Sequence, residues 1–97
     1  MDPSHDADIH RIVDSLTRRA AARGLPHLNF LGSVRELVGT GEPDTAIDWL
    51  INGVNAFRLP MRHAEYARLL AIAELLDGPD SVTDIDPDLL IEDTDDA

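Results

Sequence analysis

The stretch Pro43-Asp44-Thr45-Ala46-Ile47-Asp48-Trp49-Leu50-Ile51-Asn52-Gly53-Val54-Asn55-Ala56-Phe57 decides the fold. Its residues Ile47, Leu50, Ile51, Val54 and Phe57 recur at the three- and four-residue spacing of one helical face. Pro43 suits a first helical position, where its missing N–H costs nothing. Glu42, Asp44 and Asp48 load the opening turns with negative charge, which the positive end of the helix dipole favours. Leu59-Pro60 then breaks the chain. A helix over 43–57 is predicted, with its aliphatic residues and Phe57 facing inward. Trp49 projects from the opposite face, near Thr45, Asn52 and Ala56. It either packs under a helix read just upstream, near 29–38, or the C-terminal tail, or stands open as an aromatic anchor, Trp being the residue most enriched at interface hot spots.

Helical punctuation continues on both sides. Upstream, Phe30, Leu31, Val34, Leu37 and Val38 give a short helix near 29–38, ended by Gly39-Thr40-Gly41. Before it, Ile9, Ile12, Val13, Leu16 and Ala20 form one stripe of a helix over about 6–23. Asp14 and Arg18 stand at i,i+4 in the favoured acid-first order. Arg18, Arg19 and Arg23 complement the dipole in the last turns, and Gly24 and Pro26 stop the helix. Downstream, a helix over about 62–77 is apolar almost all round, with Ala64, Tyr66, Ala67, Leu69, Leu70, Ile72, Ala73, Leu75 and Leu76. Such a helix is expected to be the central, most buried one. Asp77-Gly78-Pro79 closes it.

The remainder is an acidic tail with docking residues in Val82, Ile85, Leu89, Leu90 and Ile91. Asp86-Pro87 reads as an N-cap and first helical residue, with Ile85 and Leu90 placed as a hydrophobic staple. One short helical turn is expected, then a frayed end. No strand-like alternation and no internal repeat is visible. The expected fold class is therefore all-α: a small compact four-helix bundle with a short helical turn in an acidic C-terminal tail. Residues 1–91 form a single domain and 92–97 a disordered acidic end. The helices over about 6–23, 43–57 and 62–77 are expected to enclose a core of Ile12, Leu16, Ile47, Leu50, Val54, Leu70 and Ile72.

A chain of 97 residues holds one modest core. It has no Cys, which excludes disulfides and thiolate metal sites. No apolar run approaches the roughly 20 residues of a membrane span. The start, Met1-Asp2-Pro3-Ser4-His5-Asp6, lacks the basic and apolar segments of a signal peptide, so a cytoplasmic location is expected. The formal charge is −11, from 19 acids and 8 bases. Residues 1–41 hold five acids and five Arg, whereas 42–97 hold fourteen acids and three Arg. The net charge therefore belongs to the C-terminal part. A field of one sign repels nucleic acid and anionic membrane and steers basic partners in; a charge kept for solubility alone is the plainer alternative.

No catalytic constellation stands out, so an enzyme is not expected. His5, His10, His27 and His63 are scattered, and no nucleophile elbow, phosphate-cradling Gly loop or HExxH occurs. Asp14-Ser15-Leu16 matches the tripeptide that carries the pantetheine arm of acyl carrier proteins, but Ser15 lies within the helix over about 6–23 rather than opening a second helix. Asp84, Asp86 and Asp88 have the opening spacing of an EF-hand loop. Leu89 and Asp95 stand where that loop needs Gly and a bidentate acid. No cofactor and no metal is expected.

From about Val38 to Leu90 the sequence resembles the MafI family of immunity proteins. The resemblance is carried by Gly41-Glu42-Pro43, Ala46-Ile47-Asp48-Trp49-Leu50, Leu59-Pro60, and Tyr66, Leu70 and Leu75 on the next helix. It covers a little over half the chain. It implies a cytoplasmic immunity protein that neutralises one cognate toxin domain, commonly a nuclease, in interbacterial competition. A nuclease site is basic because it must hold phosphates, and an acidic surface can occupy that site or its rim. The partner is expected to be a basic toxin domain, bound by a chain that is otherwise monomeric. A small acidic regulatory adaptor, antitoxin or DNA-mimicking inhibitor is the second reading, and an acyl carrier the third. The expected contact surface is the outer face of the helix over 43–57 with the adjoining tail: Glu42, Asp44, Asp48, Trp49, Asn52, Asn55, Asp84, Asp86 and Asp88. Asn52 and Asn55 offer donors and acceptors for directional contacts.

Overall fold

The computed structural model describes residues 3–25, 29–77 and 80–92. Four α-helices run in chain order, α1 (Pro3–Ala22), α2 (Asn29–Gly39), α3 (Pro43–Phe57) and α4 (His63–Leu75). Two 3-10 turns follow, at Asp80–Asp84 and Pro87–Leu89. The fold is the expected small all-α bundle. The stop at Pro26, the Gly78-Pro79 closure and residues 93–97 of the expected frayed end 92–97 fall outside the described residues.

The helix punctuation acts as its chemistry dictates. After α1 the chain turns through Gly24 at φ 73°, while the Leu25 N–H donates to the Ala20 carbonyl at 2.9 Å. This is the six-to-one bond of a glycine C-cap, which satisfies a carbonyl that the helix leaves open. α3 starts at Pro43 as expected and ends with Arg58 in the left-handed region, at φ 54°. That position ordinarily takes Gly or Asn. The side chain of Arg58 leaves the turn to pair with Asp86 of the tail.

α3 is the centre of the molecule. Pro43, Ala46, Ile47, Leu50, Ile51, Gly53 and Val54 are all buried along it. α2 packs on one flank and the first 3-10 turn on the other, with α1 and α4 behind. The expectation that α4 is the most buried helix is corrected. Only Leu69, Ile72 and Ala73 are buried on α4; Leu70 is half-buried, and Leu75 is exposed. Much of the apolar character of α4 comes from Ala64, Ala67 and Ala71, which are exposed and have little surface to hide. The expected core is otherwise present in Ile12, Leu16, Ile47, Leu50, Val54 and Ile72, with Leu59, Met61, Val82, Ile85 and Leu89 added from the connections and the tail.

Phe57 also departs from the inward expectation, with 49% of its surface exposed. Its ring stacks on Phe30 of α2, with centroids 5.4 Å apart and planes 6° from parallel. Phe30 in turn lies over Gly53, where a built Cβ would stand 2.2 Å from the ring. Gly53 is thus the gap that lets α2 approach α3.

Two features were invisible to periodicity. Met61–Arg62 (β1) and Leu90–Ile91 (β2) form a parallel two-stranded ladder, with Met61 opposite Leu90 and Arg62 opposite Ile91. α4 supplies the crossover that parallel strands require. Strands of two residues leave no alternation to read. The other feature is Arg19, which is buried rather than serving the dipole at the surface. Its guanidinium donates to the Pro60 carbonyl at 2.9 Å, to Glu65 Oε1 at 3.1 Å and to Ser15 Oγ at 3.0 Å. Glu65 also accepts from the Arg62 N–H at 2.8 Å, so one ion pair ties α1 to the start of α4. Ser15, the residue of the carrier-like tripeptide, is part of this clasp. Asp14 pairs with Arg35 of α2, in place of the expected i,i+4 partner Arg18.

Candidate functional site

The residues expected to meet a partner occupy a strip of α3 and the tail beside it. Glu42 and Asp44 are exposed at the start of the helix. Glu42 makes no side-chain cap, and Asp44 Oδ1 accepts the Thr45 N–H at 2.9 Å. Asp48 is half-buried and Asn52 exposed, each one turn further on. Trp49 is 49% exposed, so the buried alternative does not hold.

Asn55 has a different task. Its Nδ2 donates to the Asp84 carbonyl at 3.0 Å, and its Oδ1 accepts the Asp86 N–H at 2.9 Å. The directional capacity expected to serve a partner is spent on the tail backbone. Asp86 is engaged as well. Its carboxylate takes the Arg58 guanidinium and caps the second 3-10 turn by accepting the Asp88 N–H at 2.9 Å. The hydrogen bond from Arg58, then that from Asp88, hold the Asp86 carboxyl below the usual carboxylate range. The side chains of Asp84 and Asp88 point into solvent, while Val82, Ile85 and Leu89 are buried beneath them. The expected fold-back of the tail through Ile85 and Leu89 is present.

The strip therefore has two edges. Trp49 and Asn55 are six residues apart, about 120° around a helix of 3.6 residues per turn. Asn55 faces the tail. Trp49 faces α2, where it lines an open groove of about 390 Å³ with Ser33, Glu36, Leu37, Thr40 and Thr45. Asp48 and Asn52 lie between these edges, so the structure does not bring Trp49 and the tail acids together. Ser33, Glu36 and Leu37 of α2 and Thr40 of the turn after it line the groove and were missed. A signal for them exists: Ser33, Glu36, Leu37 and Thr40 fall at i, i+3, i+4 and i+7, one stripe of a helix.

Several acids around the groove stand outside the ion pairs found among the described residues. Ion pairs among the described residues join Asp8 to Arg11 and Arg68, Asp14 to Arg35, Glu65 to Arg19 and Asp86 to Arg58. None of them involves Glu36, Glu42, Asp44 or Asp48. Negative charge is thus left uncompensated around the junction of α2 and α3, beside the one Trp of the chain.

Among the described residues no helix is long and apolar enough to cross a membrane. No family model matches this chain, and no curated protein or solved structure matches it either.

Proposed function

We propose that this chain is a cytoplasmic immunity protein of the MafI kind, which binds and neutralises a cognate toxin domain with a basic, phosphate-handling surface. The observation that carries the reading is the uncompensated acid of Glu42, Asp44 and Asp48 next to the half-exposed Trp49. Carboxylates without an internal cation are ready to meet an external one, and the field they sum to accelerates encounter with a basic partner. A large aromatic beside them supplies the apolar contact that sets residence time. The chemistry is inhibition by occupation, with no catalytic step of the chain's own.

The test is direct. A toxin domain encoded beside this chain is purified, its nuclease activity is measured, and the protein is titrated in. The reading expects loss of activity that is complete near one equivalent, and survival of cells that express both. Undiminished toxin activity with the protein in excess would contradict it.

A further inference from the structure

We propose that the groove between α2 and α3 receives an arginine side chain of the partner; this rests on the reading of the chain as a binder of a basic protein and names the residue it grips. Three features of the groove converge on a guanidinium. Trp49 is half-exposed and lines the groove, and an indole is the aromatic group that attracts cations most strongly. Glu36 lines the same groove and carries a carboxylate without an ion-pair partner among the described residues. Leu37 gives an apolar wall for an aliphatic stem, which long cationic side chains bury while keeping their charged end polar.

Size and shape point the same way. A volume of about 390 Å³ lies near the lower end of ligand pockets, about 300–1,000 Å³. It suits one or two side chains rather than a nucleotide cofactor. A planar guanidinium stacks on an aromatic ring and donates to a carboxylate in its own plane at the same time, which a compact ammonium does not do. The charge is complementary too: Glu36, with Glu42, Asp44 and Asp48 nearby in sequence along α2 and α3, gives a cation a favourable approach.

Because Trp49 is the one Trp in the chain, its fluorescence reports the groove without labelling. The intact protein is titrated with a capped hexapeptide bearing one arginine, and with the same peptide carrying citrulline, at fixed ionic strength. Citrulline keeps the shape and removes the charge. The proposal expects a saturable change in Trp49 emission with the arginine peptide and about tenfold weaker binding of the citrulline form. Glu36→Gln should narrow that preference, while Glu74→Gln, an equal charge change at an exposed position on α4, should preserve it. Circular dichroism confirms that both variants are folded. Equal binding of the two peptides, no saturable change, or equal effects of the two variants would overturn the proposal. Its failure is separable from that of the immunity reading. A protein that inhibits the toxin but shows no arginine preference has lost only the groove assignment. One that shows the preference but does not inhibit has lost the immunity reading.

Discussion

At the scale of single residues, Trp49 and Gly53 do opposite things on neighbouring parts of α3. Trp49 keeps 49% of its surface exposed, so little core packing depends on it. Trp49→Ala should leave the melting temperature nearly unchanged, and should weaken binding of the toxin domain by more than about 2 kcal/mol if it is the anchor. Calorimetric titration alongside thermal melting separates these effects. An unfolded variant, or an unchanged affinity, would move the site elsewhere. Gly53 is the reverse case. Ala is favoured over Gly inside a helix by about 1 kcal/mol, yet a Cβ here would stand 2.2 Å from the Phe30 ring. That ring is held by its stack on Phe57 and cannot swing aside freely. Gly53→Ala should therefore destabilise by about 1–3 kcal/mol, as overpacked cores do, measured by urea unfolding. A more stable variant would show that Phe30 relocates at little cost.

At the scale of elements, what the sequence made legible follows from what leaves a periodic trace. α3 was readable to the residue, because Pro43 and the Leu59-Pro60 break frame a clear apolar face. The central position of α3 was not, because centrality depends on what covers both flanks. The cover comes from α2 and the folded-back tail, elements whose periodicity shows that they form but not which face of α3 they cover. α4 misled for a related reason, since exposed alanines counted as apolar. Leu69 and Leu70 test the correction. Leu69 is fully buried and Leu70 only half-buried. Leu69→Ala should cost about 2–5 kcal/mol and Leu70→Ala distinctly less. Equal losses would restore α4 to the centre. In the site, Asp48, Trp49 and Asn52 were legible as the outer face of α3. Asn55 was misassigned, because an Asn that will bind a partner and one that clamps its own tail look alike until the chain folds.

Asp86 is a titratable point at which the described part of the tail is held. Asp86 has its folded pKa depressed by Arg58 and the Asp88 N–H. A depressed carboxyl contributes stability above its unfolded value, about 3.9, and loses it as pH falls through the lower folded value. Docking of the tail should thus be insensitive to pH near neutrality and loosen only at acid pH, below the ordinary carboxylate range. Protection of the Asp86 and Asp88 amides against hydrogen exchange reads this without relying on global unfolding. Protection lost already between pH 5 and 6 would mean that another group holds the tail.

At the scale of the whole molecule, the net charge of −11 is not spread evenly. Arg11, Arg19, Arg35, Arg58 and Arg68 are engaged with acids of the chain. The excess lies after Gly41, where fourteen acids face three Arg. Interactions between exposed charges are screened beyond about 8 Å at physiological salt. Long-range steering is therefore sensitive to salt, while short-range contacts made after docking are much less so. The central claim is that this field draws in a basic partner, and stopped-flow association with the toxin domain, followed through Trp49 fluorescence across a salt series, tests it most directly. The account predicts an association rate that falls steeply with added salt while the dissociation rate barely changes. An association rate indifferent to salt would contradict it.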